Sequence, residues 1–293
     1  MRYQFIKENR SSFPVVKMCQ TLNVCSSGFY RWLKAPFSPR KQENLLIKKR
    51  ISRLYKEHKG MVGSPMIAAD LRSEPSFATV SKNRVARHMR AMGLRCRTTK
   101  KIVLTTNSKH DEPIAPNVLN RQFSVAKPNT IWVSDITYLK AGGKWYYLTV
   151  FIDLFSRIVV GWDLSDSLDR HSMIHSFNKA LWRRRPGAGL LVHSDRGVQY
   201  ASKDFRKLLE KNSCVQSMSR KGNCSDNAVA ESFFHTLKTQ LTHHERFLDK
   251  NEAELALFNY IEAYYNRRRR HSAIGYKTPA EFEQYVESLQ GVV

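Results

Sequence analysis

Ile131-Trp132-Val133-Ser134-Asp135-Ile136-Thr137-Tyr138-Leu139 is the stretch that decides the fold. β-Branched and aromatic residues dominate it, and neither proline nor glycine interrupts it, so it reads as one strand. At its centre lies a carboxylate. A charge among apolar strand residues is costly unless it is paired or bound to metal, so Asp135 marks a site as well as a strand. Working outward, Trp145 to Asp153 and Arg157 to Leu164 repeat the strand texture. Gly142-Gly143 turns the first hairpin and Leu154 to Ser156 the second. A helix from Arg170 to Trp182, a short buried strand from Leu190 to His193, a helix from Phe205 to Leu209 and a strand from Val215 to Met218 follow. A strong helix then runs from Asp226 to Leu241 and an amphipathic one from Asn251 to Tyr265, and Thr278-Pro279 starts a last short helix. Three antiparallel strands followed by alternating helix and strand predict an α/β fold, with a mixed sheet flanked by helices.

The residues before this region have a different texture. Val15 to Leu22 reads as a short helix, Asn23-Val24 as a turn, and Ser26 or Ser27 caps a second helix through Leu33. Two short helices around a tight turn suggest a helix-turn-helix unit. Leu45 to Tyr55 is helical in pattern, and Ser64-Pro65 starts a helix through Leu71. Ser81 caps another through Met92, with Gly93 suited to end it. Val85, Met89 and Met92 face inward on that helix, leaving Lys82, Asn83, Arg84, Arg87 and Arg90 mostly outward, where such side chains suit base edges and phosphates. From Thr98 to Thr130 the pattern is lost, and three prolines there read as a loosely docked linker. The expected divisions are 1–37 and 40–105 as an all-α, helix-turn-helix-type DNA-binding region, 106–124 as linker, 125–245 as the α/β domain and 246–293 as a helical extension.

Charge supports this division. The 293 residues carry a formal net charge of +24. Residues 1–110 hold 24 Lys+Arg and 5 Asp+Glu, residues 111–250 hold 20 and 14, and residues 251–293 hold 5 and 6. The excess lies in the helical third and calls for a polyanion, nucleic acid above all. No apolar run approaches the ~20 residues of a membrane span, and Met1 to Pro14 lacks a signal-peptide core. Five cysteines without a CxxC pair argue against a disulfide scaffold and fit a reducing cytosol.

Three acids occupy special places. Asp135 lies in the first strand, Asp195 closely follows a short apolar strand in His193-Ser194-Asp195-Arg196-Gly197, and Glu231 lies on a helix, with 35 residues between the last two. Three carboxylates converging from two strands and a helix can hold two divalent cations, and an all-oxygen set suits Mg²⁺. Two such ions can activate a water or a 3′-hydroxyl and stabilise the leaving oxygen of a phosphoryl displacement.

The Asp135, Asp195, Glu231 arrangement resembles the DDE triad of insertion-sequence transposases and retroviral integrases. The likeness is strongest to second-reading-frame (OrfB) transposases of the copy-out/paste-in family. It rests on Tyr3-Gln4-Phe5-Ile6-Lys7-Glu8, Pro128-Asn129, Ile131 to Tyr138, Ile152-Asp153-Leu154-Phe155-Ser156-Arg157 and His193 to Gly197. It rests also on Asp226-Asn227-Ala228 through Glu231-Ser232-Phe233-Phe234 and on Tyr265-Asn266-Arg267-Arg268-Arg269-Arg270-His271-Ser272. The resemblance implies an RNase H-like integrase core and two Mg²⁺ ions, with Mn²⁺ as a substitute. It also implies a bacterial, nucleoid-associated enzyme acting on terminal inverted repeats of double-stranded DNA. One element end attacks the other to give a bridged, later circular, intermediate. A homo-oligomer on DNA is implied, and so is an upstream-frame protein or frameshift fusion.

Lys238 lies seven residues after Glu231, two helical turns on and on the same face. The family places a basic residue there to contact terminal DNA. Val62-Gly63-Ser64-Pro65 departs from the family, which often has an aromatic before that glycine. Asp153 and Asp163, strand-end acids, fall beside the cleft and outside the triad. His171 and His175 have metal-pair spacing but no cysteine partners, so the integrase-type zinc module is absent. Arg183 to Arg185 and Arg267 to Arg270 are candidate phosphate contacts, the second run beside Tyr264, Tyr265 and His271, where bases could stack. Ser219 to Asn223 reads as a basic loop that orders on DNA. The rival readings are an RNase H-like nuclease or resolvase without strand transfer, and a DNA-binding regulator with an inert core.

Overall fold

A computed structural model of the chain describes residues 1–34, 38–97 and 112–290. The chain divides into two units, Met1–Cys96 and Arg97–Val293.

The first unit is all helical. Helices α1 (Arg2–Asn9), α2 (Val15–Thr21) and α3 (Ser26–Lys34) close over Ile6, Met18, Cys19 and Phe29. α1 lies ahead of the two expected helices, and Tyr3 on it packs against Phe29 and Trp32. Helices α4 (Pro39–Glu57), α5 (Ser64–Arg72) and α6 (Lys82–Ala91) bury a second core, with Ile47, Ile51, Ile67, Leu71, Val85 and Met89 at its centre. Local chemistry sets the ends. The Ser38 and Ser81 hydroxyls accept from the Lys41 and Arg84 amides, and Pro39 fills the first turn of α4. Val62, at the departure from the family pattern, is fully buried.

The second unit is built on a sheet. Strands β1 (Ile131–Ala141), β2 (Lys144–Asp153) and β3 (Val159–Ser165) form an antiparallel meander. Gly142 and Gly143 both have positive φ, as a two-residue hairpin turn requires. Helix α7 (Arg170–Arg184) leads to β4 (Leu191–Ser194), α8 (Val198–Ala201) and α9 (Lys203–Lys211) lead to β5 (Val215–Met218), and α10 (Ala228–Leu237), α11 (Lys250–Phe258) and α12 (Pro279–Gln290) follow. The sheet order is β3-β2-β1-β4-β5, with β4 parallel to both neighbours. This is the expected mixed sheet. Its core gathers Trp132, Phe151, Met173, Phe177, Tyr200 and Phe205 between the sheet and α7 to α9. Gly161 on β3 permits that approach, since a Cβ there would press on the Ser176 carbonyl and Ala180 of α7.

Several boundaries differ from expectation. Arg157 has φ +65°, so β3 begins two residues later than its sequence pattern. The helix expected to Leu241 stops at Leu237 and loosens into a π-helical turn, Lys238–Thr242. The helix expected to Tyr265 likewise passes into a π-helical turn at Asn259–Tyr265. Of the expected linker, residues 106–111 lie outside the described residues. Residues 112–124 are no loose tether, because Leu119 is buried and the Val118 and Leu119 amides donate to Ser217 Oγ of β5. The expected extension beyond residue 246 is also built in: Asn266 accepts from the Val159 amide and donates to its carbonyl, and Glu283 bonds Ser156 and Arg184.

Candidate active site

β1 and β4 are parallel and paired from Ile131↔Leu191 to Val133↔His193. β4 ends at Ser194, while β1 runs on beside β2 alone. Extending the shared register by two residues brings Asp135 level with Asp195. This is the carboxyl end of a strand pair, where α/β sheets hold their sites. The Ile136 amide donates to Asp135 Oδ1 at 2.8 Å, and the Gly197 amide to Asp195 Oδ1 at 2.9 Å. Each carboxylate is therefore turned by its own backbone. Beneath them the buried Ser134 hydroxyl donates to the Val150 carbonyl, so the Tyr200 hydroxyl, 2.7 Å away, donates to Ser134 Oγ.

The third acid comes from α10, and the helix start is pinned twice. Asp226 is fully buried and accepts from Asn117 Nδ2, Arg121 Nε and the Arg220 backbone and guanidinium, at 2.8–2.9 Å. The Arg220 guanidinium beside it holds the Asp226 carboxyl far below the usual carboxylate range. Next to it Asn227 Nδ2 donates to the Ser134 carbonyl at 3.0 Å, one residue before Asp135. This ties the α10 start to β1, and Glu231 lies one turn into that helix with its side chain exposed. Asp226 and Asn227 thus position the helix that carries Glu231, a role that sequence pattern alone does not assign. Side chains of capping type just before an apolar helix were the available signal.

The electrostatics join the three acids. Burial first, then the negative charge of Asp195, pushes the Asp135 carboxyl well above its usual range. Glu231 adds to this push, and the Ile136 amide and Lys238 oppose it. Lys238 is partly buried at the end of α10, its Nζ 5.2 Å from the Tyr138 ring centroid. Burial lowers its pKa, against the pull of Asp135. Among the described residues no three His, Cys, Asp or Glu side chains stand close enough to share one ion. All three side chains are oxygen donors, the type that hard divalent cations take.

The basic residues expected to face DNA divide into two groups. Lys82, Asn83, Arg87 and Arg90 are exposed on α6. Arg84 is not presented outward: its guanidinium makes two 2.8 Å bonds to Glu43 and reaches Asn44 Oδ1, bracing α6 on α4. Arg267 and Arg268 are exposed, but Arg269 bonds the His271 ring and lies against Tyr265, and Arg270 bonds the Tyr276 carbonyl. Tyr264 and Tyr265 are buried, and burial pushes the His271 imidazole down to about 3, so this cluster is core rather than a stacking platform. Arg183 and Arg184 are held by Glu262 and Glu283. Arg220, in the expected DNA-ordered loop, is tied to Asp226.

Asp153 and Asp163 have structural partners. Asp153 is fully buried and accepts from the Asn129 and Phe155 amides, and Asp163 accepts from Ser172, His175 and Lys179. His175 is thus engaged away from His171.

With this geometry in view, the chain matches the integrase core domain family over residues 125–224 and, through a second integrase core model, over 212–279. Residues 41–101 match an HTH-like domain. Transposase InsF for insertion sequence IS3A of Escherichia coli (strain K12) is 37% identical over 285 residues, covering 97% of this chain and 98% of that protein. The insertion element IS600 uncharacterized 31 kDa protein of Shigella sonnei is 38% identical over 267 residues, 91% of this chain and 97% of the relative. The HTLV-2 integrase catalytic core domain in complex with magnesium aligns with TM-score 0.42 and 21% identity, over 53% of this chain and 97% of that one.

Proposed function

This chain belongs to the insertion-sequence transposases that include those of IS3, and from that premise we propose that Asp135, Asp195 and Glu231 are its catalytic carboxylates. The observation that supports the reading is that the β1–β4 register sets Asp135 level with Asp195 at the strand ends, while the Asn227 bond to the Ser134 carbonyl ties the start of the Glu231 helix to the same strand. The three side chains would hold two Mg²⁺ ions, or Mn²⁺ in their place. When bound, the metal supplies charge neutralisation at the phosphate and an acidified water or 3′-hydroxyl.

The protein's own part is orientation. The Ile136 and Gly197 amides turn Asp135 and Asp195, and Asn227 and Asp226 set the helix carrying Glu231. Lys238 brings a cation beside Asp135, suited to a neighbouring phosphate of terminal DNA. The reaction is hydrolysis of one strand to a 3′-hydroxyl, then attack of that hydroxyl on another phosphodiester. No protein nucleophile is required. In the basic helical unit Lys82, Asn83, Arg87 and Arg90 would contact the terminal repeats, with Arg267 and Arg268 as phosphate contacts in the second unit. Two ends must be held together, which calls for a homo-oligomer on DNA. A fusion to an upstream reading frame fits the same family.

The test is incubation with Mg²⁺ and a supercoiled plasmid carrying both element ends, scored for joined ends. Asp195→Asn is expected to abolish cleavage and joining while retaining DNA binding. Cleavage that survives overturns the triad, and nicks without joined ends in the wild type favour the nuclease reading.

A further inference from the structure

Beside Lys238 the second unit opens a cavity of about 710 Å³ between the β1–β2 hairpin and residues 238–248. We propose that this cavity is a seat for an unpaired nucleotide of single-stranded DNA, its base on Tyr138 and Trp145 and its phosphates on the surrounding cations.

The hairpin register builds the aromatic wall. Lys140 pairs with Trp145 across the ladder and Tyr138 pairs with Tyr147, so Tyr138 and Trp145 are diagonal neighbours. Their rings meet edge to face with centroids 5.1 Å apart. Leu139 and Ala141 alternate with Tyr138 and Lys140 along β1 and are buried, whereas Tyr138 is 41% and Trp145 54% exposed. Two large aromatics left open beside each other on one hairpin are unusual for a surface that binds nothing.

The charge is complementary to a nucleotide. Lys238 Nζ lies 5.2 Å from the Tyr138 centroid and Lys140 Nζ 5.9 Å from that of Trp145. Arg246 adds a third fixed positive charge to the lining, against Glu245 alone among the acids there. Aromatic rings interleaved with cations are how proteins hold unpaired nucleic acid: bases stack and the backbone is neutralised. A paired base keeps its faces inside the duplex stack and cannot use such a wall. The volume falls in the few-hundred-Å³ range of small-ligand sites, enough for a nucleotide.

The opposite wall depends on a glycine. The Gly142 amide donates to the Phe247 carbonyl at 2.9 Å, and a Cβ at Gly142 would stand 2.6 Å from the Leu248 carbonyl oxygen. Only glycine lets residues 247–248 come down on the hairpin. Lys238 belongs both to this wall and to the surroundings of Asp135, so the seat adjoins the carboxylates. The inference deepens the polynucleotidyl-transfer reading and rests on it: a strand end displaced from its partner beside the catalytic acids needs somewhere to go.

The experiment uses the full chain and two fluorescent probes of mixed sequence. One is a blunt duplex, and the other is the same duplex with a short single-stranded tail carrying 5-iodouracil. Binding is read by anisotropy and contact by photo-crosslinking with peptide mapping. The tailed probe is expected to bind more tightly than the blunt one and to crosslink within residues 138–145. Trp145→Ala and Tyr138→Ala should each weaken the tailed probe about tenfold, the scale of one lost stacking contact, and leave the blunt probe within about twofold. Trp145→Phe should keep most of the tail preference. A tail preference unchanged in both alanine variants, or crosslinks that map only elsewhere, overturns the proposal. The Asp195→Asn variant separates the two readings. If it still cleaves while the crosslink stands, the triad fails alone; if it is inactive and the crosslink is missing, the seat fails alone.

Discussion

On the proposed assignment of Asp135, Asp195 and Glu231, a single side-chain amide outside that set bears on how they are placed. The Asn227 side chain bonds the Ser134 carbonyl and so places the helix of Glu231 against the strand of Asp135. Asn227→Ala should lower the rate of strand cleavage by roughly a hundredfold, the effect of an ångström-scale misplacement, with DNA affinity unchanged. Single-turnover cleavage beside a binding isotherm checks this, and equal loss of both would assign Asn227 to folding alone. Asp153 makes a second residue-scale prediction. Burial pushes its carboxyl up to about 6, against bonds from Asn129 and Phe155, whereas an unfolded aspartate titrates near 3.9. Between about pH 4 and 6 the folded chain binds the extra proton, so this group's contribution to stability falls as pH rises through that window, by roughly 3 kcal/mol in all. Asp153→Asn should flatten that part of the profile, read as the change in unfolding midpoint between about pH 4.5 and 7.

At the scale of elements, α6 separates a bracing arginine from surface ones. Arg84→Ala strips Glu43 and Asn44 of a shared partner and should lower stability more than Arg87→Ala does, measured by denaturant unfolding. Arg87→Ala should leave stability within about 0.5 kcal/mol and reduce the salt slope of DNA binding by about one. Helical periodicity put both outside the core of α6 and could not tell them apart, because Glu43 lies 41 residues earlier. The same limit explains Asp226, whose partners Asn117 and Arg121 are more than a hundred residues away in a stretch that reads as linker. What depended on local pattern was legible. The strand around Asp135, the Gly142-Gly143 turn and the Ser81 cap stood in the sequence, whereas Ser64, whose pattern suits an N-cap, is the first residue of its helix after Gly63. The π-helical turns after Leu237 and Phe258 were not legible, since the apolar spacing runs through both without a break.

For the whole molecule, charge and chemistry are divided. The +19 of residues 1–110 supplies attraction to any duplex, and residues 111–250 carry +6 and all three candidate catalytic acids. Affinity for a mixed-sequence duplex should therefore fall by roughly a thousandfold or more between about 50 and 200 mM salt, as expected when six or more phosphates are neutralised. A near-flat salt series would contradict a charge-led mode of binding. The strand order β3-β2-β1-β4-β5 has a consequence in time. As the chain leaves the ribosome, the local meander of β1 to β3 can form early, whereas β1 must wait some 60 residues for β4 and almost 100 for Asn227. A nascent or prematurely terminated chain can thus carry the complete basic helical unit and a folded meander without Glu231. If Glu231 is catalytic as proposed, the capacity to break a strand arrives last, after the basic helical unit and the meander are already made.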